Sequence, residues 1–256
     1  MVITTITEGG GVGKTALTFN LAWCLANRGK KVLMIDLDAQ GGNLSFFAGV
    51  TNKDQRDTIV NVFRGEKSIN DVAVNLKENL WIVPGNQNLM DVDSIVKKEK
   101  DGVTILKNEV GKIKKKYDYI FIDVNPTPSM IHVISLMASE GMIIPTVPDA
   151  KCVASTMKVI ETYEDIKKGG NPKLKVLGIV FNEFEDRSLL AKGVIQTIAS
   201  FASAKGVPIM QTIIPKNIAI GEQGFTHIGI TEYKPKSKGA LAYVELCDEM
   251  FGKAGE

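Results

Sequence analysis

The sequence predicts an α/β fold, a mostly parallel twisted sheet flanked by helices, in a single domain over residues 1–256. Three observations carry that expectation. Apolar, β-branched runs alternate with helix-periodic stretches from end to end, the pattern of right-handed βαβ units. Most of those runs are continuously apolar rather than alternating, as strands covered on both faces are. A glycine-rich string, GGGVGKT at 9–15, follows the first run and opens the first helix, the context in which such a string binds phosphate.

Strands are expected at 2–6 (VITTI), 31–36 (KVLMID), 79–84 (NLWIVP), 117–123 (YDYIFID), 141–148 (GMIIPTVP), 175–182 (KVLGIVFN) and 211–215 (QTIIP). Helices are expected between them at 14–28, 101–116, 151–168, 188–204 and 237–251. Residues 50–78 carry weak periodicity and scattered charge, and no repeat or Pro/Gly-rich linker divides the chain.

Composition narrows the class. The 31 basic and 29 acidic residues leave a net charge of +2, which excludes a strongly basic nucleic-acid protein while permitting a local basic face. Cys24, Cys152 and Cys247 are far apart and form no C-x-x-C pair, so they read as buried small hydrophobes rather than a disulfide frame or metal site. The start, MVITTI, lacks a secretory pattern, and no apolar run is long enough to span a bilayer. His132 and His227 fit no triad or metal spacing and read as structural or surface residues. The expectation is a soluble cytoplasmic protein.

In the glycine-rich loop, Gly10, Gly11, Val12 and Gly13 turn backbone N–H groups toward phosphate oxygens, with Ala16 in the first turn behind them. The helix N-terminus adds its partial positive charge. Lys14 neutralises β- and γ-phosphates, and the Thr15 hydroxyl ligates Mg²⁺. VLMIDLDAQGGN places Asp36 and Asp38 at the end of the second strand, and YDYIFIDVNP places Asp123 at the end of another. Strand C-terminal ends are where an open α/β sheet binds its ligand, and a carboxylate there can hold Mg²⁺. A GTPase would need N-K-x-D. The nearest string, NKDQ at 52–55, has its aspartate one place early, so the expected nucleotide is ATP.

The loop departs from strict G-x-x-x-x-G-K-[ST] at Glu8 and resembles the deviant Walker A loop of the ParA/MinD family, K-G-G-x-G-K-[ST], matching it at Gly10, Gly11, Val12, Gly13, Lys14 and Thr15. The family's first lysine falls on Gly9. The DLDAQGGN segment resembles the family's D-x-D-P-Q-G-N switch, with Ala39 for proline, and Asn125-Pro126 stands where the family usually reads two prolines. TIIPKNIAIGEQG and YKPKSKGALAY resemble its C-terminal segments, so the resemblance covers nearly the whole chain. It implies that Asp38 orients the attacking water and Asp36 supports the Mg²⁺ shell. It also implies that Asn182 and Pro215 lie at the base.

The family lysine reaches across a nucleotide-sandwich dimer to the partner's phosphates, an arginine-finger-like role. Its absence leaves an inert relative, dimerisation without that contact, or a substitute cation. Two facing triphosphates in a partly dry interface favour the last. Lys151, between a strand and a helix at the nucleotide edge, is one candidate, and the cluster Lys216, Lys234, Lys236 and Lys238 is another. A missing loop lysine together with Lys151 resembles the carboxysome-positioning McdA subgroup of the family.

The acidic C-terminal stretch argues against MinD-like membrane docking, unpaired cysteines against iron–sulfur relatives, and a first strand at Val2 against an N-terminal helix-turn-helix. What the resemblance implies is a positioning ATPase forming an ATP-state homodimer. It would bind double-stranded nucleoid DNA without sequence preference and be released when an adaptor of the McdB or ParB kind stimulates hydrolysis. Candidate DNA contacts are Arg187, Lys192, Lys216, Lys234, Lys236 and Lys238. The run at 112–116 reads as favourable charge closing a helix. Alternatives are a plasmid or chromosome partition ParA and a metabolic P-loop ligase or kinase.

Overall fold

The computed structural model describes residues 1–39, 43–50, 57–98, 102–184 and 189–253. Arg187, the NKDQ string at 52–55 and residues 40–42 of the switch segment lie outside the described residues.

Seven strands form one sheet: β1 (Val2–Thr5), β2 (Val32–Leu37), β3 (Val74–Lys77), β4 (Leu80–Val83), β5 (Tyr119–Val124), β6 (Gly141–Thr146) and β7 (Lys175–Phe181), in the order β3-β4-β2-β5-β1-β6-β7. Every pairing is parallel except the β3–β4 hairpin at one edge. Around the sheet run α1 (Lys14–Asn27), α2 (Asn43–Phe47), α3 (Ile59–Phe63), α4 (Ile69–Val72), α5 (Val92–Lys98) and α6 (Ile105–Ile113). Further on come α7 (Met130–Ala138), α8 (Ala150–Gly169), α9 (Leu189–Ala204), α10 (Ile218–Gln223), α11 (Ile230–Tyr233) and α12 (Lys238–Phe251).

Period-2 alternation divides the strand residues between two cores. Leu33 and Ile35 of β2, Ile120 and Ile122 of β5, and Met142 and Ile144 of β6 face one layer with α3 and α5–α9. Met34, Phe121 and Ile143 face the other, under α1 and α10–α12. Both faces being covered explains why these strands read as unbroken apolar runs. Helix α1, buried along nearly its whole length, lies between the sheet and α12. There Arg28 holds Asp248 at 2.6 Å, and the Cys24 and Cys247 thiols meet. All three cysteines are buried and free.

Six of the expected strands form. The seventh does not: residues 209–215 follow β7 through only the isolated bridges Ile179–Ile209 and Phe184–Pro215. The Glu249 carboxylate of α12 takes the N–H groups of Gln211 and Thr212 at 2.6 and 2.9 Å, and Pro215 has none to give. Conversely, β3 arises inside the poorly patterned 50–78 stretch. Its sequence, VNLK, is only half-buried, so it carries little apolar signal.

Phe121 fills the central strand of the layer beneath α1 and is fully buried. Phe121→Ala should therefore destabilise the chain by about 3–5 kcal/mol. The check is a lower denaturant midpoint at unchanged slope.

Candidate nucleotide site

The loop between β1 and α1 turns through Gly11 at φ 72° and Gly13 at φ 80°, left-handed positions that glycine alone occupies without strain. At Gly13 a β-carbon would also stand 2.9 Å from Asn182 Nδ2. These turns leave Lys14 as the first residue of α1, buried, its ammonium donating back to Gly9 O at 3.2 Å. Burial lowers its pKa, opposed by the charges of Asp123 and Asp38.

Parallel register sets two carboxylates side by side, since Asp36 of β2 pairs with Asp123 of β5. Both are fully buried. Thr15 Oγ1 donates to Asp123 Oδ2 at 2.7 Å and Thr18 Oγ1 to Asp123 Oδ1 at 3.4 Å. Burial first, then the neighbouring Asp36, pushes Asp123 up to about 8. Burial pushes Asp36 up to about 6, against three hydrogen bonds that favour its charged form. Those come from the Asp38 N–H at 3.0 Å and the Ser45 N–H and O–H at 2.8 and 2.6 Å. Gly85 closes the cage: its N–H donates to Ser45 Oγ at 3.2 Å, and a β-carbon there would be 2.6 Å from Asp36 O. Asp38 is buried just past β2, within electrostatic reach of Lys14 and Asp123.

A cleft of ≈ 940 Å³ opens beside the loop, lined by Gly13, Ala16, Asn182 and Pro215 with Phe47 and Phe225 among its apolar walls. Asn182 Nδ2 donates to Val12 O at 2.8 Å, while its Oδ1 is buried with no partner among the described residues. Glu183, next in the chain, is left-handed at φ 53°, a strained position of the kind found at functional sites. Gly10 is exposed and Val12 buried beneath the loop.

Of the expected residues, Lys14, Thr15, Asp36, Asp38 and Asp123 converge at one sheet edge, and Asn182 and Pro215 line the adjoining cleft. Lys151 starts α8 with a side chain 77% exposed, 3.5 Å from Asp149, whose carboxylate caps that helix. Among the C-terminal lysines, Lys216 lines the cleft with Gly13 and Pro215. Lys234 pairs with Glu222 at 2.5 Å, and Lys216 and Lys238 border a groove with Leu241. Lys236 is exposed, as is Lys192 on α9. His132 is buried with Nε2 2.8 Å from Asn125 O, and His227 is exposed.

Two features escaped sequence reasoning. Ser45 follows Asp36 at a spacing with no motif. Glu8 pairs with Lys158 of α8 at 3.1 Å, a contact visible only once α8 is known to pack on the loop.

A family model for an AAA domain matches residues 1–176. The chain is 28% identical over 252 residues to the chromosome-partitioning ATPase Soj of Treponema pallidum, across 98% of this chain and 97% of that one. The septum site-determining protein MinD of Pyrococcus horikoshii, complexed with Mg-ADP, aligns at TM-score 0.79 and 30% identity over 99% of this chain and 97% of that one. The Cyanothece McdA–ATP complex aligns at TM-score 0.88 over 98% of this chain and 96% of that one. At 22% identity that last likeness is one of fold. A near-complete alignment at 30% identity, together with the family model over residues 1–176, makes this chain a member of the ParA/MinD family of P-loop ATPases.

Proposed function

We propose that residues 1–256 work as one ATPase domain that positions cargo through an ATP-driven cycle of dimerisation and DNA binding. The observation that carries this reading is the pairing of a phosphate loop lacking its own outward lysine with an exposed lysine, Lys151, at the same sheet edge. Such a chain is incomplete as a monomer, because the cation must come from a second copy.

The residues suit Mg-ATP. Backbone N–H groups of Gly10, Gly11, Val12 and Gly13, with Lys14, surround the phosphates at a helix N-terminus. Asn182 Oδ1, buried with no donor among the described residues, fits the exocyclic amine of adenine, and Pro215 packs beside it. Two adjoining buried carboxylates with raised pKa values suit a divalent cation: Thr15 and Asp123 would hold Mg²⁺, with Asp36 behind them. Magnesium there supplies charge neutralisation at the β- and γ-phosphates. Asp38 orients the attacking water, and Lys14 with the partner subunit's copy of Lys151 stabilises charge on the transferred phosphoryl oxygens.

In the ATP state the homodimer binds double-stranded DNA without sequence preference through Lys192, Lys216, Lys234, Lys236 and Lys238, with Arg187 nearby in sequence. An adaptor of the McdB or ParB kind then stimulates hydrolysis and releases the dimer. The resulting gradient on the nucleoid spaces the cargo in the cytoplasm. The loop without its lysine favours carboxysomes as that cargo. Similarity to Soj favours a second reading, plasmid or chromosome partition by the same cycle.

Binding to random-sequence DNA, measured with ATP, ADP and no nucleotide, tests the proposal. Binding is expected with ATP alone and should weaken by at least about tenfold between low and moderate salt. Equal or absent binding in all three states would sink it. Lys151→Ala should keep ATP affinity yet stay monomeric by light scattering, and Asp38→Ala should accumulate as an ATP dimer on DNA. Lys14→Ala should lose nucleotide binding in a fluorescent-ATP titration by about a hundredfold.

A further inference from the structure

Gly9 stands where the family loop has its lysine, Glu8 precedes it, and both meet the same helix. Glu8, its side chain only 9% exposed, pairs with Lys158 of α8 at 3.1 Å. At Gly9 a β-carbon would lie 3.7 Å from Ser155 Oγ, also on α8, and 3.4 Å from Val12 Cγ1. Without a side chain at residue 9, α8 lies close against the loop.

Residues 151, 155 and 158 fall at i, i+4 and i+7, one face of a helix. Along that face Lys158 is anchored on Glu8, Ser155 passes Gly9, and Lys151 projects at the helix start, where β6 delivers it to the nucleotide edge. A carboxylate as enclosed as Glu8 requires a partner. Beside Lys158, the titratable side chain in electrostatic reach of Glu8 is His132, which Lys14 also reaches. Lys14 is committed to the loop through Gly9 O, and His132 to Asn125 O. Lys158 alone among these makes a direct ion pair with it.

Resting on the sandwich-dimer reading above, we infer that Glu8 and Lys158 are positioning residues for Lys151. The loop lacks its own cation, and Glu8 docks against it the helix that carries the replacement, fixing the register of α8 through Lys158. Lys158 does not itself touch the nucleotide. It sets where Lys151 stands relative to the phosphates of the facing subunit.

The test uses the full chain and measures ATP-dependent dimerisation by sedimentation, with ADP affinity and Tm in parallel. Lys158→Met and Glu8→Gln should each weaken the ATP dimer by about tenfold, and the double variant should be no worse than either. Lys158→Arg should retain dimerisation and Tm, Lys158→Met should lower Tm by leaving Glu8 without its ion pair, and ADP affinity should be unchanged throughout. Gly9 has no positive φ and only ordinary contacts around its β-position, so Gly9→Lys is sterically admissible and returns a cation to the loop. In that background Lys158→Met should cause no further loss.

Three results would overturn the inference: wild-type dimerisation in Lys158→Met, a parallel fall in ADP affinity, or an undiminished loss in the Gly9→Lys background. A wild-type chain that stays monomeric with ATP would instead remove the dimer reading, and this inference with it.

Discussion

Two aspartates lie abreast in the dry ends of neighbouring strands, and the nucleotide edge is organised around keeping them there. Asp36 and Asp123 are in register on β2 and β5, where mutual repulsion and lost hydration both oppose ionisation. The surroundings answer with donors rather than with a cage of cations. Ser45 gives two hydrogen bonds to Asp36 and Thr15 gives one to Asp123. The nearby Lys14 ammonium partly offsets the rise of the Asp123 pKa. Gly85 is small because Asp36 O occupies the space a side chain would need. The arrangement is electrostatically unfinished by itself and suits a ligand that brings a divalent cation.

The glycine-rich loop and the adjoining cleft are linked through one helix. α1 begins with Lys14 and Thr15, and further along it Asn20 exchanges amide hydrogen bonds with Gln223 of α10 at 3.0 and 2.9 Å. Asn20 also accepts the Ile230 N–H at 2.9 Å. All these groups are buried, where an unpaired amide is costly, so the cleft wall is held in register with the loop. On the open side, Phe46 of α2 meets Phe225 and His227 edge-on, each with ring centroids 5.9 Å apart. That contact joins the helix after the switch segment to the same wall.

Much of this was legible beforehand, for identifiable reasons. A GKT string between an apolar strand and a helix leaves little freedom in where Lys14 and Thr15 stand. Strands ending in Asp36 and Asp123 must deliver those carboxylates to the same sheet edge when they run parallel. What resisted reading depends on contacts between remote segments. Ser45 matters because a short helix returns it to β2, and Lys158 because α8 happens to cross the loop at Gly9. The 211–215 stretch looks like a strand by composition, but Glu249 of α12 captures its amides. β3 is a strand by virtue of its hairpin with β4 rather than its own residues.

That capture by Glu249 bears on how many copies can crowd onto one surface. An open sheet tends to recruit further strands from neighbouring molecules. Here one margin is only four residues long, shifted in register between Asn75 and Lys77, and ends in a lysine. Along the other, the Met210 and Ile214 amides cover the Ile179 and Phe181 carbonyls of β7, while the adjacent Gln211 and Thr212 amides are already occupied. Both margins are thus blunted against intermolecular β-pairing. Molecules gathered at high local density can stay individually folded, and contacts between them fall to side-chain surfaces rather than to strand pairing.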